Sequence, residues 1–515
     1  MLYRKNILHI LLILILLAKF VCVWSQEITY KSGGCTLTYK KIDEYSVEVA
    51  KQSPTLNKEK IFIPTEINYN DTTFYVIGIG DNAFSGNTKI EKVTFSAECD
   101  IKYIGEGAFA GCQNLTEIEL PSTITEIKPY TFAWCGLKRI EIHNFITKIG
   151  ERAFTNCKQL TKIEMSENIE EIGNFAFAWC NELTSFTIPE KTKKLGYEIL
   201  QANRDLDTLY YNAINCEDAG AYYDERVDRT IGAFEGNKGL SEIVFGYKVE
   251  YIPEYLLYNC RSIDSIYFPR SIKKIGRFAL HNTEWFYGAK GDLIYANNIA
   301  YFYRGKDRDI DRAMFKEGTT AIAAHCFSGS EIETVVLPST IQLIGISAFE
   351  NCKNLKKITF STDLESIDDF AFWGCDNLES VTFAEGLIEI GRYSFANCMG
   401  LHTAKLPQSV NRMGVATFYN CTNLENVKIP QNTTIVPAGC FSNCESLRSI
   451  EIHNDVEEIN EYAFAGCLLL DSIKIPWVCT KIGTRAFSNC MDLESVNFLA
   501  KSAKYIKRKK TSAAE

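Results

Sequence analysis

Long apolar runs are scarce in this 515-residue chain. Beyond the first 25 residues none reaches the ~20 apolar residues that span a bilayer, so no later transmembrane helix is expected. Histidine is also scarce, with six copies, and none stands in a ligand spacing such as H-E-x-x-H. His143 and His453 follow strand-like segments, while His281 and His325 read as single residues in polar turns. No G-x-S-x-G, phosphate-binding or dinucleotide-binding loop occurs, so neither catalytic residues nor a cofactor or metal site is expected. Strong charge is missing too: a formal net charge of −9 is mild for this length and gives no sign of a nucleic-acid partner. With 46% apolar and 12% aromatic residues, disorder is excluded as the general state.

What is present is a repeated phrase. IGERAFTNCKQLTKIEM at 149–165 returns in similar words at 344–360, 390–406 and 482–498, and Phe349, Phe372, Phe395, Phe418, Phe441, Phe464 and Phe487 stand 23 residues apart. Periodicity of that length is the signature of a solenoid, which grows by stacking and need not divide into separate domains. Upstream the same column runs Phe84, Phe109, Phe132, Phe154, Phe177, Leu200, Phe234, Leu257, Leu280 and Phe327. Its two long intervals predict irregular inserts near 210–233 and 285–320, the second a hairpin turning at Asn297–Asn298 between Tyr/Ile-rich runs.

Four regions follow. Residues 1–25 have a basic start, an apolar core and Val23 and Ser25 at the −3 and −1 positions, as in a signal peptide cleaved after Ser25; the mature protein is then secreted or extracellular. Residues 26–76 hold alternating runs outside the metre and predict an N-terminal β cap over the first turn's open face. Residues 77–499 form the solenoid. The basic tail, 500–515, allows two readings, a solvated end or a peripheral surface attachment through Lys501–Lys510.

Within the unit I-G-x-x-A-F-x-x-C-x-x-L-x-x-I-x-L-P, the L-x-x-I-x-L segment alternates at its end, so Ile118 and Leu120 face inward and Glu117 and Glu119 outward. One such strand per turn, stacked in parallel, makes the expected sheet, and Pro121, Pro189, Pro269, Pro338, Pro407, Pro430 and Pro476 end strands by withholding a donor. The Gly is expected to permit a sharp bend, and the Phe to fill the interior. Cys112, Cys135, Cys157, Cys180, Cys260, Cys352 and their successors all stand three residues after the Phe column. Equivalent residues of adjacent turns point the same way, whereas a disulfide needs converging Cβ atoms, so the column reads as reduced thiols used for packing. Cys35, Cys99, Cys216 and Cys479 lie outside it and are the better candidates for any bridge.

The IG-x-x-AF-x-x-C phrase, the NAINC segment at 212–216 followed by a displaced AFEGN, and GDLIY at 291–295 together resemble the BspA-like leucine-rich repeats of bacterial and protozoan surface antigens. The resemblance covers about 26–499. It implies a leucine-rich repeat solenoid, a β-rich α/β horseshoe or arc, in a non-catalytic surface protein associated with adhesion to host matrix, host cells or other microbes. The implied partner is a protein or glycan ligand; a passive spacer of a cell surface is the alternative. The family has no residue-level binding motif to carry over.

Candidate sites are therefore read from the outward column of the strands. It holds Glu119, Glu141 and Glu164, then Thr187, Tyr210, Val244 and Tyr267, and later Val336, Thr359, Thr382, Lys405, Lys428, Glu451, Lys474 and Asn497. The glutamates sit beside cations in the neighbouring column, Arg139 and Lys162, so a solvated charge ladder accounts for them, with cation binding and acid/base chemistry as rivals. Tyr210, Tyr211, Val244 and Tyr267 are the candidate partner-binding residues, because they place large side chains on a face expected to be polar. Asn70, Asn114, Asn420 and Asn432 begin glycosylation sequons, Asn420 being the least accessible.

Overall fold

The structure is a computed structural model and describes residues 27–53, 56–311 and 314–499. The signal peptide expected at 1–25 and the basic tail at 500–515 lie outside the described residues. The chain is a parallel β-solenoid of about 18 turns with about 23 residues per turn. It divides into two compact units, one holding the residues to Val249 with Tyr255–Pro269 and Leu280–Gly288, the other holding the remainder.

In the first unit, Glu27–Ser32, Cys35–Lys41 and Ser46–Val49 form an antiparallel meander whose third strand pairs in parallel with Thr72–Ile79. That strand continues in parallel to Tyr103–Ile104, while Lys60–Ile63 pairs in parallel with Lys92–Phe95. The N-terminal segment thus supplies the first rung of two ladders. The longer ladder runs through Ser185–Ile188, Thr208–Tyr211, Glu242–Phe245 and Ser265–Tyr267. A second ladder of two-residue strands stands at the Ile-Gly position, as in Glu126–Ile127, Lys148–Ile149, Glu171–Ile172 and Lys194–Leu195. The expectation of one strand per turn missed this second ladder. Its strands are too short to alternate visibly, and they exist only because the neighbouring turn supplies partners.

The second unit repeats the plan. Its longer ladder includes Thr334–Val336, Lys357–Thr359, Ser380–Thr382 and Thr403–Lys405, and its second ladder opens on an antiparallel hairpin of Leu293–Ala296 and Ile299–Tyr303. Asn297 turns that hairpin with φ of 55°. Ile299–Tyr303 then pairs in parallel with Ala321–Ile322, so this excursion is itself a rung.

Phenylalanine stacking organises both interiors. Phe84, Phe109, Phe132, Phe154 and Phe177 follow one another with ring centroids 5.0–5.6 Å apart. Phe327 through Phe487 do the same at 5.0–5.6 Å. The spacing is close to one sheet step, so rings repeating with the strands meet in the favourable offset range.

The eighteen described cysteines are all free thiols. Their column has a role beyond filling space. Cys135 Sγ donates to the Phe109 carbonyl at 3.0 Å, Cys157 to Phe132 at 3.1 Å and Cys398 to Phe372 at 3.2 Å, each one turn back, whereas Cys260 lies 3.9 Å from the Tyr258 carbonyl of its own turn. Asn203 occupies the same place and donates through Nδ2 to the Phe177 carbonyl at 3.1 Å. The column therefore needs a small buried donor, which explains why Asn substitutes for Cys. Burial pushes the Cys157 thiol up to about 12, the direction of an inert thiol.

The repeat glycine is not there for a left-handed bend. A Cβ on Gly150 would lie 2.5 Å from the Pro129 nitrogen, and one on Gly391 would lie 2.4 Å from the Asp369 nitrogen. Close approach of the preceding turn's backbone is what demands glycine. Left-handed backbone instead falls two residues before and two after the Phe column: Arg152 at 53° and Asn156 at 61°, Phe175 at 54° and Trp179 at 60°. Among the described residues the only α-helix is Glu284–Gly288, and the A-F-x-x-C segments are tight turns. Half-buried left-handed positions carry a side-chain ladder of their own, with the Arg152 guanidinium 5.9 Å from the Tyr130 ring and 4.6 Å from the Phe175 ring.

Candidate functional site

The outward column stands as parallel register demands. Glu141 is level with Glu164, Thr187 with Tyr210, Tyr210 with Val244, and Val244 with Tyr267. In the second unit Thr382 is level with Lys405 and Lys428 with Glu451.

The acidic rungs of the first unit are paired in part: Glu164 and the neighbouring-column Glu117 have cation partners, while Glu119 and Glu141 are in no ion pair among the described residues. Glu164 meets Lys162 at 2.5 Å, and Glu117 meets both Arg139 at 3.3 Å and Lys92 at 3.5 Å. The Lys162 hydrogen bond, aided by its charge, holds the Glu164 carboxyl below its ordinary range. His143 beside them is committed at both nitrogens: Nε2 lies 2.9 Å from the Pro121 carbonyl, and Nδ1 accepts the Phe145 N–H at 3.3 Å. His453 repeats the arrangement, with Nε2 3.0 Å from the Thr433 carbonyl and Nδ1 accepting from Asp455. Both rings replace the missing proline as a brace on the preceding turn. His281 and His325 are half-buried rather than in open turns, and burial lowers each to about 4.

The tyrosine rungs separate the four candidate residues. Tyr210 is 41% exposed, Tyr267 is 56% exposed, and Val244 between them is half-buried. Tyr211 does not belong with them. It points into the core, fully buried, with its ring 5.5 Å from that of Phe245. Alternation along Thr208–Tyr211 puts Leu209 and Tyr211 inside and Tyr210 outside, so only one of two adjacent tyrosines can face solvent. The Tyr211 hydroxyl meets the Cys216 thiol, while burial pushes that thiol up to about 11.

Sequence reasoning missed Tyr247. It follows Gly246, which fills the slot where other turns carry Pro, and is 78% exposed. Lys248 Nζ lies 5.7 Å from its ring and donates to both Glu190 oxygens at 2.9 Å. The interruption of the Pro pattern by Gly246-Tyr247-Lys248 was the available signal. The insert near 210–233 lies away from the tyrosine rungs. Its hairpin, Tyr222–Asp224 with Arg229–Ile231, leans on the second-ladder side, where Tyr222 packs on Tyr197 at 4.3 Å.

Of the sequon asparagines, Asn70 is exposed in the turn between Glu66–Tyr69 and Thr72–Ile79, and Asn432 is also exposed. Asn114 is exposed but donates Nδ2 to the Thr88 carbonyl at 2.6 Å. Asn420 is half-buried and bonded to Asn397 Oδ1 at 2.8 Å.

A family model for the BspA type leucine rich repeat region, in six copies, matches residues 77–207, 229–286, 320–448 and 389–510. The chain belongs to the BspA-type leucine-rich repeat family. Similar solved structures include a leucine-rich repeat protein from Bacteroides ovatus, 22% identical, covering 89% of this chain and 92% of that one, with a TM-score of 0.30. A leucine rich cell surface protein from Faecalibacterium prausnitzii is 21% identical over 83% and 95% of the two chains, with a TM-score of 0.27. A leucine-rich repeat protein from Eubacterium ventriosum is 18% identical over 94% and 99%, with a TM-score of 0.34. No curated protein matches the chain. Among the described residues of this BspA-type chain, no helix is long and apolar enough to cross a membrane.

Proposed function

We propose that this chain is a non-catalytic binding protein, exported through residues 1–25, that holds a protein or glycan ligand on the tyrosine rungs of its first unit. Adhesion to host matrix, host cells or other microbes is the setting that its family suggests. One observation carries the reading: Tyr210 and Tyr267 leave large rings in water on a rigid sheet face, at 41% and 56% exposure. Exposed aromatic side chains on a preorganised surface are the usual anchors of recognition. Non-catalysis is supported by the acidic rungs, whose carboxylates at Glu117 and Glu164 are held in ion pairs.

The test is capture of immobilised matrix proteins, glycans and cells by the full mature chain. Y210A/Y267A should lose tenfold or more of whatever is captured, with unchanged thermal unfolding. A passive spacer is the second reading, favoured by how fully packing explains the repeat's fixed letters; it expects no specific capture by either form. Peripheral attachment through Lys501–Lys510 is tested separately: high salt should release the full chain from a surface, and a version ending at Ala500 should not be retained at all.

A further inference from the structure

Resting on the reading that the tyrosine rungs bind a ligand, we infer that their ligand is an extended β-1,4-linked glycan carrying free amino groups. The first support is pitch. Tyr210, Val244 and Tyr267 stand on three successive rungs in parallel register, so the two tyrosines are two sheet steps apart, about 10 Å. An extended β-1,4-linked glycan turns each ring over relative to the last, so the same ring face returns once per disaccharide, at that same pitch. The apolar C–H face of a sugar stacks on an aromatic ring, and the smaller Val244 leaves space for the intervening sugar. A peptide in strand conformation presents like side chains every two residues, about 7 Å, and does not match.

The second support is charge. Beside the tyrosine column the same rungs present Thr208, Glu242 and Ser265 outward. Asp207 and Asp264 flank them, and both are exposed. Asp207 accepts the Ser241 hydroxyl at 2.5 Å and Asp264 accepts the Ser265 hydroxyl at 2.7 Å. None of Asp207, Glu242 and Asp264 is in an ion pair, whereas the neighbouring cation, Lys248, is taken by Glu190 at 2.9 Å. A face with three uncompensated carboxylates and no free cation among these residues repels uronic or sulfated sugars and attracts protonated amino sugars. Glu242 sits beside Val244, level with the middle sugar, and is the residue placed to read its amine.

The experiment is titration calorimetry of the full mature chain with four hexasaccharides: β-1,4-linked glucosamine, N-acetylglucosamine and glucose, and β-1,3-linked glucose. Saturable binding is expected for the three β-1,4 hexamers, tightest for glucosamine, and none for the β-1,3 hexamer. Y210A and Y267A should each weaken binding at least tenfold, Y210F and Y267F should retain most of it, and E242Q should abolish the glucosamine preference while keeping the glucose hexamer bound. Thermal unfolding of each variant confirms that the array is intact. Failure of all β-1,4 hexamers, equal binding of the β-1,3 hexamer, or indifference to Y210A and Y267A would overturn the inference. Loss of matrix or cell capture in Y210A/Y267A, without any hexamer binding, would overturn the glycan and leave the broader proposal standing.

Discussion

The tyrosine rungs of the first unit and the lysine rungs of the second are carried by arrays of one design. Both units hold a parallel ladder, stacked phenylalanines 5.0–5.6 Å apart and thiols that donate to the carbonyl one turn back, although at the tyrosine rungs themselves the Phe column reads Leu200, Phe234 and Leu257 and the thiol column Asn203, Asn237 and Cys260. The outward letters differ as well: Tyr210, Val244 and Tyr267 in the first, against Lys405, Lys428 and Lys474 in the second. Lys428 is paired with Glu451 at 2.9 Å, and Thr403, Asn426 and Ser449 surround these lysines with small polar groups. The second face is thus an ordinary hydrated surface, while the first leaves large rings unpaired with any partner of their own size. The contrast teaches that a solenoid separates stability from recognition, because alternation along each strand assigns the two tasks to opposite faces.

The largest effect that could break this comparison lies in the shared core. Phe154→Ala in the first unit and Phe372→Ala in the second should each cost about 3–5 kcal/mol, measured by denaturant unfolding; a clear difference between them would show that the design is not common. Next comes pH. Burial depresses His281 in the first unit and His325 in the second to about 4. Because the folded state resists protonation there, stability is complete above about pH 6.5 and falls as pH drops toward 4, by up to about 3 kcal/mol for His281. H281L should flatten that slope in a melting series from pH 7 to 4. Smaller again is the thiol ladder: Cys157→Val or Cys398→Val removes one of two donors to a buried carbonyl, since Cys135 and Cys375 also donate their N–H there. About 1 kcal/mol is expected in either unit, and asparagine should replace Cys398 better than valine does, as Asn203 already does naturally. The smallest stability effects belong to the outward letters. Tyr210→Ala and Lys405→Ala should each change unfolding by less than about 0.5 kcal/mol, yet only the tyrosine change should alter ligand capture.

Much of the fold was legible because the interior repeats with the chain. The 23-residue metre, the Phe column, the Asn297 turn and the inward fate of the cysteine column all follow from side chains that must meet their counterparts one turn away. The candidate site was legible only in part. Tyr210 and Tyr267 were recognisable as outward residues, but Tyr211 was grouped with them although its neighbour Leu209 already fixed its side by period-two alternation. Tyr247 escaped because it lies after the strand, where no periodicity speaks and exposure depends on what the adjacent turn covers. The glycine's role escaped for a similar reason: a forbidden Cβ contact with Asp369 or Pro129 is made between turns, and no local pattern reveals it.

By itself, then, the sequence determined the repeat length, the stacked interior and the sidedness of each strand, since these depend on identities at fixed spacing. Tertiary structure alone decided the second ladder of two-residue strands, the thiol bonds to carbonyls one turn back, and the placing of the first insert against Tyr197 rather than over the tyrosine rungs. Those features arise from the distance between neighbouring turns. A backbone approach of a few ångströms is a property of the stack, which no single repeat contains.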